Sequence, residues 1–256
     1  MKAGILLSVR EKATRLPGKV LKPLGTAPSI TAFLLRRLKT SKRADKVVLA
    51  TSADPRDAVL CTLAAEEGAL SFKGSADDKM FRYRDAARQF GLDFVVVVDG
   101  DDPFISVEHI DRIIESAAKA PGIDFIRFGN LALGASGFGL STSALERICT
   151  GRAEENTEVW GNLFLKNPAY HCVELTESDP VLARPDVRMT LDYDEDYRFF
   201  TTVADALIGL GRDLSYGQIM TYLAAHPEVV AINAGAQAAY EAHLARSAEA
   251  PAGQIS

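Results

Sequence analysis

The stretch Ala3-Gly4-Ile5-Leu6-Leu7-Ser8-Val9-Arg10-Glu11-Lys12-Ala13-Thr14-Arg15-Leu16-Pro17-Gly18-Lys19 couples an apolar run to a cationic loop. Ile5, Leu6, Leu7 and Val9 lack helical spacing and read as a buried strand. A loop leaving the carboxyl end of such a strand is where open α/β sheets bind ligands. Arg10, Arg15 and Lys19 then face the ligand crevice. A polyphosphate suits them, because guanidinium groups meet phosphate in a forked geometry that an ammonium cannot copy. Pro17 stiffens the loop, and Gly18 lets the backbone approach an anion. The Gly-x4-Gly-Lys-Ser/Thr spacing of a Walker loop is absent.

The 256 residues and 47% hydrophobic content allow one large α/β domain with an insertion. A net charge of -5 argues against general nucleic-acid binding, which needs a basic face. Charge is unevenly spread: residues 1–46 hold twelve Lys or Arg and two acidic residues. Lys39, Lys42, Arg43 and Lys46 fit the solvated end of a helix, where cations are favoured, better than a ligand site. No apolar run is long enough for a secretory core or a membrane span, so a cytoplasmic protein is expected. Cys61, Cys149 and Cys172 lack paired spacings, and His109, His171, His226 and His243 are scattered, so neither metal clusters nor histidine-led chemistry is suggested.

Strand-like and amphipathic segments alternate through the first half, the sign of βαβ units and a mainly parallel sheet. Strands are expected at 3–8, 46–51, 70–72, 94–98 and 123–128, and helices at 29–39, 56–67, 77–90 and 107–119. The consecutive valines Val95 to Val98 fit a central strand covered on both faces. From 129 to 185 the glycines Gly129, Gly134, Gly137 and Gly139 break the rhythm and suggest an insertion, with helical stretches at 145–148 and 154–166. A returning strand at 188–191 and helices at 194–210 and 215–225 complete a domain of residues 1–246, with a frayed tail at 247–256.

Asp99-Gly100-Asp101-Asp102-Pro103 follows the central strand and places carboxylates at the ligand edge. Magnesium takes hard oxygen donors, often one or two from protein with phosphate and water completing the shell. Thr51 and Ser52, ending the second strand, are placed to hydrogen-bond ribose or base.

These segments, with Gly74-Ser75-Ala76-Asp77-Asp78, Arg82-Tyr83 and Leu191-Asp192-Tyr193-Asp194-Glu195-Asp196, resemble the cytidylyltransferase family that activates 3-deoxy-2-ulosonic acids such as sialic acid and 3-deoxy-manno-octulosonic acid. The likeness covers residues 1–210 and is nearest to the spore-coat polysaccharide biosynthesis branch. It implies a single-domain, Rossmann-like, mixed and mainly parallel sheet of the nucleotide-diphospho-sugar transferase type, with an inserted dimerisation and acceptor segment. It further implies that Arg10, Arg15 and Lys19 contact the phosphates of CTP, that Arg82 lies near the nucleotide, and that Asp101 and Asp192 hold Mg2+. Ala13 departs from the pattern, since many relatives carry Ser there. Glu158 falls where relatives of this branch carry His, so Glu158 and Trp160 are acceptor candidates, with Arg188 available for an acceptor carboxylate or phosphate. The implied reaction transfers CMP from CTP to a small acidic sugar, releasing pyrophosphate, in a homodimer. A sugar phosphate, phosphonate or alditol phosphate acceptor, and a noncatalytic nucleotide-binding protein, are the alternatives.

Overall fold

The computed structural model describes residues 1–13, 15–157, 160–238 and 240. Among them, strands β1 (Ala3–Ser8), β2 (Lys46–Ser52), β3 (Leu70–Gly74), β4 (Phe94–Asp99), β5 (Phe125–Phe128), β6 (Phe138–Ser141) and β7 (Cys172–Leu175) form one sheet. The order is β3-β2-β1-β4-β6-β5-β7. β1 runs parallel to both β2 and β4, β3 joins β2 in parallel, and β7 joins β5 in parallel. β6 alone is antiparallel, wedged between β4 and β5.

Side-chain alternation along the central strands decides which face each residue serves. Ile5, Leu7, Val96 and Val98 enter one apolar cluster, and Leu6, Val95 and Val97 enter the other. The first cluster is closed by α1 (Ile30–Leu38), α2 (Ala58–Glu66), α4 (Val107–Lys119), α7 (Asp194–Gly209) and α8 (Tyr216–Ala225), and the short α9 (Pro227–Val230) adds Val229. The second is closed by α3 (Lys79–Phe90), α5 (Thr142–Cys149) and the short α6 (Asn162–Leu165). With both faces covered, the middle of the sheet can be apolar at every position, which is why the valine run needs no polar alternation.

Helix starts follow local capping chemistry. Ser29, Asp78, Ser106 and Ser141 each accept a backbone N–H from the first turn of the helix they precede. No described helix is long and apolar enough to cross a membrane.

The segment 129–185, expected as an insertion, supplies β6 and β7. Three expectations change. Helix 154–166 shrinks to Asn162–Leu165, because Arg152, the Glu155 backbone N–H and the Thr157 hydroxyl are all tied to the buried Asp78 carboxylate. Residues 188–191 do not form a strand; Arg188 makes one isolated bridge with Leu133. The fifth strand begins at Phe125, not 123. The tail 247–256 lies outside the described residues.

The glycines of the 129–139 region act through close approach more than as breakers. A Cβ on Gly139 would lie 2.5 Å from Ile126 Cγ2, 2.6 Å from Ile113 Cγ2 and 2.6 Å from Phe94 Cζ. Gly139→Ala is therefore expected to destabilise the fold by about 1–3 kcal/mol through overpacking, measured by urea denaturation.

Segment 176–180 is pinned to α4 by a buried polar knot. His109 Nδ1 lies 2.6 Å from Ser106 Oγ, and Nε2 lies 3.0 Å from Glu177 Oε2, to which Arg112 also donates. Burial alone would lift the Glu177 carboxyl, but the Asp179 backbone N–H, Arg112 and His109 pull it down to about 2 from 4.5. Burial lowers the His109 pKa despite the Glu177 carboxylate. Both depressed groups contribute stability above their unfolded values and lose it as pH falls. Thermal melts should drop below about pH 6.5 as His109 is forced to protonate, then again between 4.5 and about 2 as Glu177 does. Glu177→Gln should flatten the second step.

Candidate active site

The sheet order reverses its direction of growth at β1 and β4, whose carboxyl ends therefore open a crevice between diverging connections. Gly18, at φ 68°, leads the turn Lys19–Leu21 that sends Lys19 into this crevice. Lys19 Nζ donates to Asp101 Oδ2 at 2.8 Å, to the Leu191 carbonyl at 2.6 Å and to Asp192 Oδ1 at 3.1 Å. The backbone holds the two acidic segments together as well, since the Leu191 N–H donates to the Asp101 carbonyl at 2.8 Å. Two carboxylates 91 residues apart in sequence thus converge on one cation.

Asp192 is surrounded. Arg15 Nη2 meets its Oδ1 at 2.5 Å, and Arg188 Nη2 meets its Oδ2 at 2.9 Å. Burial would raise the Asp192 pKa, but Lys19 and Arg15 overrule it and hold the group below the ordinary carboxylate range. Burial would likewise lower Lys19, yet Asp101 and Asp192 keep it above its ordinary value. Asp102 is different: burial, then the Asp101 and Asp99 charges, push its carboxyl well above the usual carboxylate range. Asp99 has Lys79 Nζ at 3.5 Å.

Arg15, Lys19, Asp101 and Asp192 are therefore brought together, while Arg10 sits on the β2 side of the crevice. Its Nη1 donates to the Ala76 carbonyl at 2.7 Å, and with Lys12, Ser52, Asp57 and Asp77 it lines a cleft of about 90 Å³.

The remaining expected residues are placed otherwise. Thr51 Oγ1 donates to Asp57 Oδ2 at 2.9 Å, and the Ser52 backbone N–H and hydroxyl donate to the same oxygen. Their donors serve Asp57, whose other oxygen accepts the Glu11 N–H at 2.7 Å and so braces the cationic loop against β2. Arg82 is buried, with Nη1 on the Ser75 carbonyl at 2.8 Å and Nη2 3.3 Å from Ser8 Oγ. It shapes the 75–76 turn from below and presents no open guanidinium. Trp160 is buried edge-on against Phe138, Tyr83 and Phe164, with centroids 5.3, 6.0 and 6.2 Å away, so it belongs to the core and not to a stacking platform. Arg188, 5% exposed, is also not an open acceptor cation: its Nε donates to Asp196 Oδ1 at 2.9 Å while Nη2 holds Asp192. Glu158 lies outside the described residues.

Two residues were given no role by the sequence reading. Asp196 accepts the backbone N–H groups of Asp192 and Tyr193 at 2.9 and 3.0 Å, fixing the approach to α7; an acid at the third helical position is a readable capping signal. Asn233 donates to Asp196 Oδ1 at 2.9 Å, a contact with no local signature.

The donors around Lys19 fit a divalent cation. An ammonium already occupies a position faced by two carboxylates and a carbonyl, all hard oxygens. Among the described residues no three His, Cys, Asp or Glu side chains gather as a metal cluster, so phosphate and water would have to complete a shell begun by Asp101 and Asp192.

A mainly parallel α/β sheet with a cationic loop and paired carboxylates at its order-reversal edge defines a nucleotidyltransferase type of enzyme. A family model described as cytidylyltransferase matches residues 4–147, and the chain belongs to that family. It is 28% identical over 229 residues to the spore coat polysaccharide biosynthesis protein SpsF of Bacillus subtilis, covering 87% of this chain and 94% of the relative. Over 115 residues, 45% of each chain, it is 37% identical to the 3-deoxy-manno-octulosonate cytidylyltransferase of Chlorobium chlorochromatii. Among solved structures, a cytidylyltransferase from Leptospira borgpetersenii serovar Hardjo-bovis superposes with a TM-score of 0.81 at 27% identity, covering 90% of this chain and 97% of that one.

Because Arg188 holds two buried carboxylates, Arg188→Met should cost about 3–5 kcal/mol in chemical denaturation by leaving both charges uncompensated. Nucleotide binding should weaken with it, which an acceptor-only role would not produce.

Proposed function

We propose that the enzyme transfers CMP from CTP to a 3-deoxy-2-ulosonic sugar acid, with Mg2+, releasing pyrophosphate for surface polysaccharide or glycan synthesis. The observation that carries the reading is the convergence of Lys19, Arg15, Asp101 and Asp192 at the carboxyl edge of β1 and β4. The acceptor class is supported by the octulosonate cytidylyltransferases that the chain resembles, and the polysaccharide setting by the spore-coat relative.

In this reading Asp101 and Asp192 hold the divalent ion, which when bound offsets phosphate charge at the reacting phosphorus. Lys19 and Arg15 are the phosphate cations. At rest their charges are committed to carboxylates, so the two side chains turn to the triphosphate as Asp101 and Asp192 take another positive partner. Arg10 contacts the nucleotide from the β2 side, where it lines a cleft with Lys12 and Asp77. The acceptor hydroxyl oxygen bonds to the α-phosphorus as the bond from that phosphorus to the α,β-bridging oxygen breaks; the hydroxyl proton passes to solvent water and pyrophosphate leaves toward the cations. Such transfer depends chiefly on positioning and on fixed charge, which this group of side chains supplies without a dedicated base. A homodimer belongs to the same reading.

The test is pyrophosphate release from CTP and Mg2+ with a panel of ulosonic acids. Turnover should depend on acceptor, and Asp101→Asn or Lys19→Met should lower kcat/KM by about 100-fold or more. Absence of turnover with every acid, together with turnover on a sugar phosphate, would redirect the assignment to that acceptor class.

A further inference from the structure

Arg15 is held by more than its carboxylate. Its guanidinium carbon lies 5.8 Å from the ring centroid of Tyr193 and 5.6 Å from that of Tyr240. Tyr193 belongs to the acidic motif before α7, whereas Tyr240, a helical residue, comes after the helical residues 234–238. The Tyr240 ring also lies 5.4 Å from the Arg188 guanidinium carbon. One ring therefore borders both guanidinium groups that grip opposite oxygens of Asp192.

The chemistry of the two kinds of contact differs. A carboxylate engages the in-plane N–H donors of a guanidinium, the same donors a phosphate needs. An aromatic ring attracts the cation through its electron-rich face and takes no N–H donor from it. Arg15 is half open to solvent at most, with 28% of its side chain exposed, and a guanidinium released from Asp192 without the rings would swing on a long flexible stem.

We propose that Tyr240 is a positioning residue of the nucleotide site: with Tyr193 it keeps the Arg15 guanidinium at the phosphates when its N–H donors leave Asp192. This rests on the reading of Arg15 as a phosphate cation.

The experiment is a double-mutant cycle read by calorimetry on the full chain, titrated with CTP and Mg2+ and, separately, with inorganic tripolyphosphate and Mg2+. Tyr240→Leu should weaken both ligands by about 3- to 30-fold, Tyr240→Phe should restore wild-type affinity, and Tyr240→Leu should have no further effect in an Arg15→Ala background. Melting curves on each variant separate loss of folding from loss of binding, and the Phe variant retains the packing volume. Equal losses from Tyr240→Leu with and without Arg15, or a Phe variant as weak as the Leu variant, would overturn the assignment while leaving the CTP reading intact. Tripolyphosphate binding that depends on Tyr240 in a protein indifferent to CTP would support the positioning role and overturn the nucleotide assignment. A wild-type protein that binds neither ligand would overturn both.

Discussion

The ammonium of Lys19 is the interaction on which the site depends. It joins the loop after β1 to the loop after β4, 82 residues away, and to the segment entering α7, 173 residues away. Without it, Asp101 would face the buried Asp192 carboxylate with no ammonium charge between them. The acids around it each have a separate solution. Asp192 sits among three cations, Asp101 has the ammonium, Asp99 has Lys79, and the Asp102 carboxyl is held well above the usual carboxylate range by burial and the neighbouring acids. Four acids share one neighbourhood because three of them have a cation nearby and the fourth has its charged form disfavoured by burial.

That arrangement needs the sheet order. β1 is flanked by β2 on one side and β4 on the other, and the register sets Ser8 beside both Ala50 and Asp99. The cationic loop therefore leaves the sheet next to the acidic one, while Asp57 anchors its opposite flank through the Glu11 N–H. Further out, Asp196 and Arg188 hold the approach to α7 so that Asp192 points back at Lys19. The fold contributes adjacency and the buried charge network contributes direction.

Much of this was legible in sequence. The apolar runs of β1 and β4 announce buried strands, and the cationic loop after β1 and the acidic turn after β4 are the two segments that the fold brings together. What could not be read follows from partners distant in the chain. β6 is four residues with a glycine, and its Gly139 looks like a breaker until the side chains of Ile113, Ile126 and Phe94 are seen pressing on it. Arg188 has the composition of a ligand-reading cation, but Asp192 and Asp196 lie on the next turns of chain and consume it. Thr51 and Ser52 end a strand at the ligand edge, as expected, yet Asp57 a few residues on captures their donors. Trp160 sits in a segment read as ligand-facing, while Phe125, Phe138 and Phe164 claim it for the core.

The choice of cation at each position follows from the geometry it must satisfy. Lys19 sits among three oxygens from three different groups, a job for a compact point charge with three rotatable donors, and a planar fork could not address all of them. Arg188 spans Asp192 and Asp196 at once, which requires donors spread across a plane, and its burial is tolerable because that fork is filled on both sides. Arg15 combines a carboxylate at its edge with aromatic rings nearby, and only a flat, weakly hydrated guanidinium can use edge and face together. Exchanging lysine and arginine among these positions would preserve net charge and lose the site, because what is conserved between them is the sign of the charge and what differs is its shape.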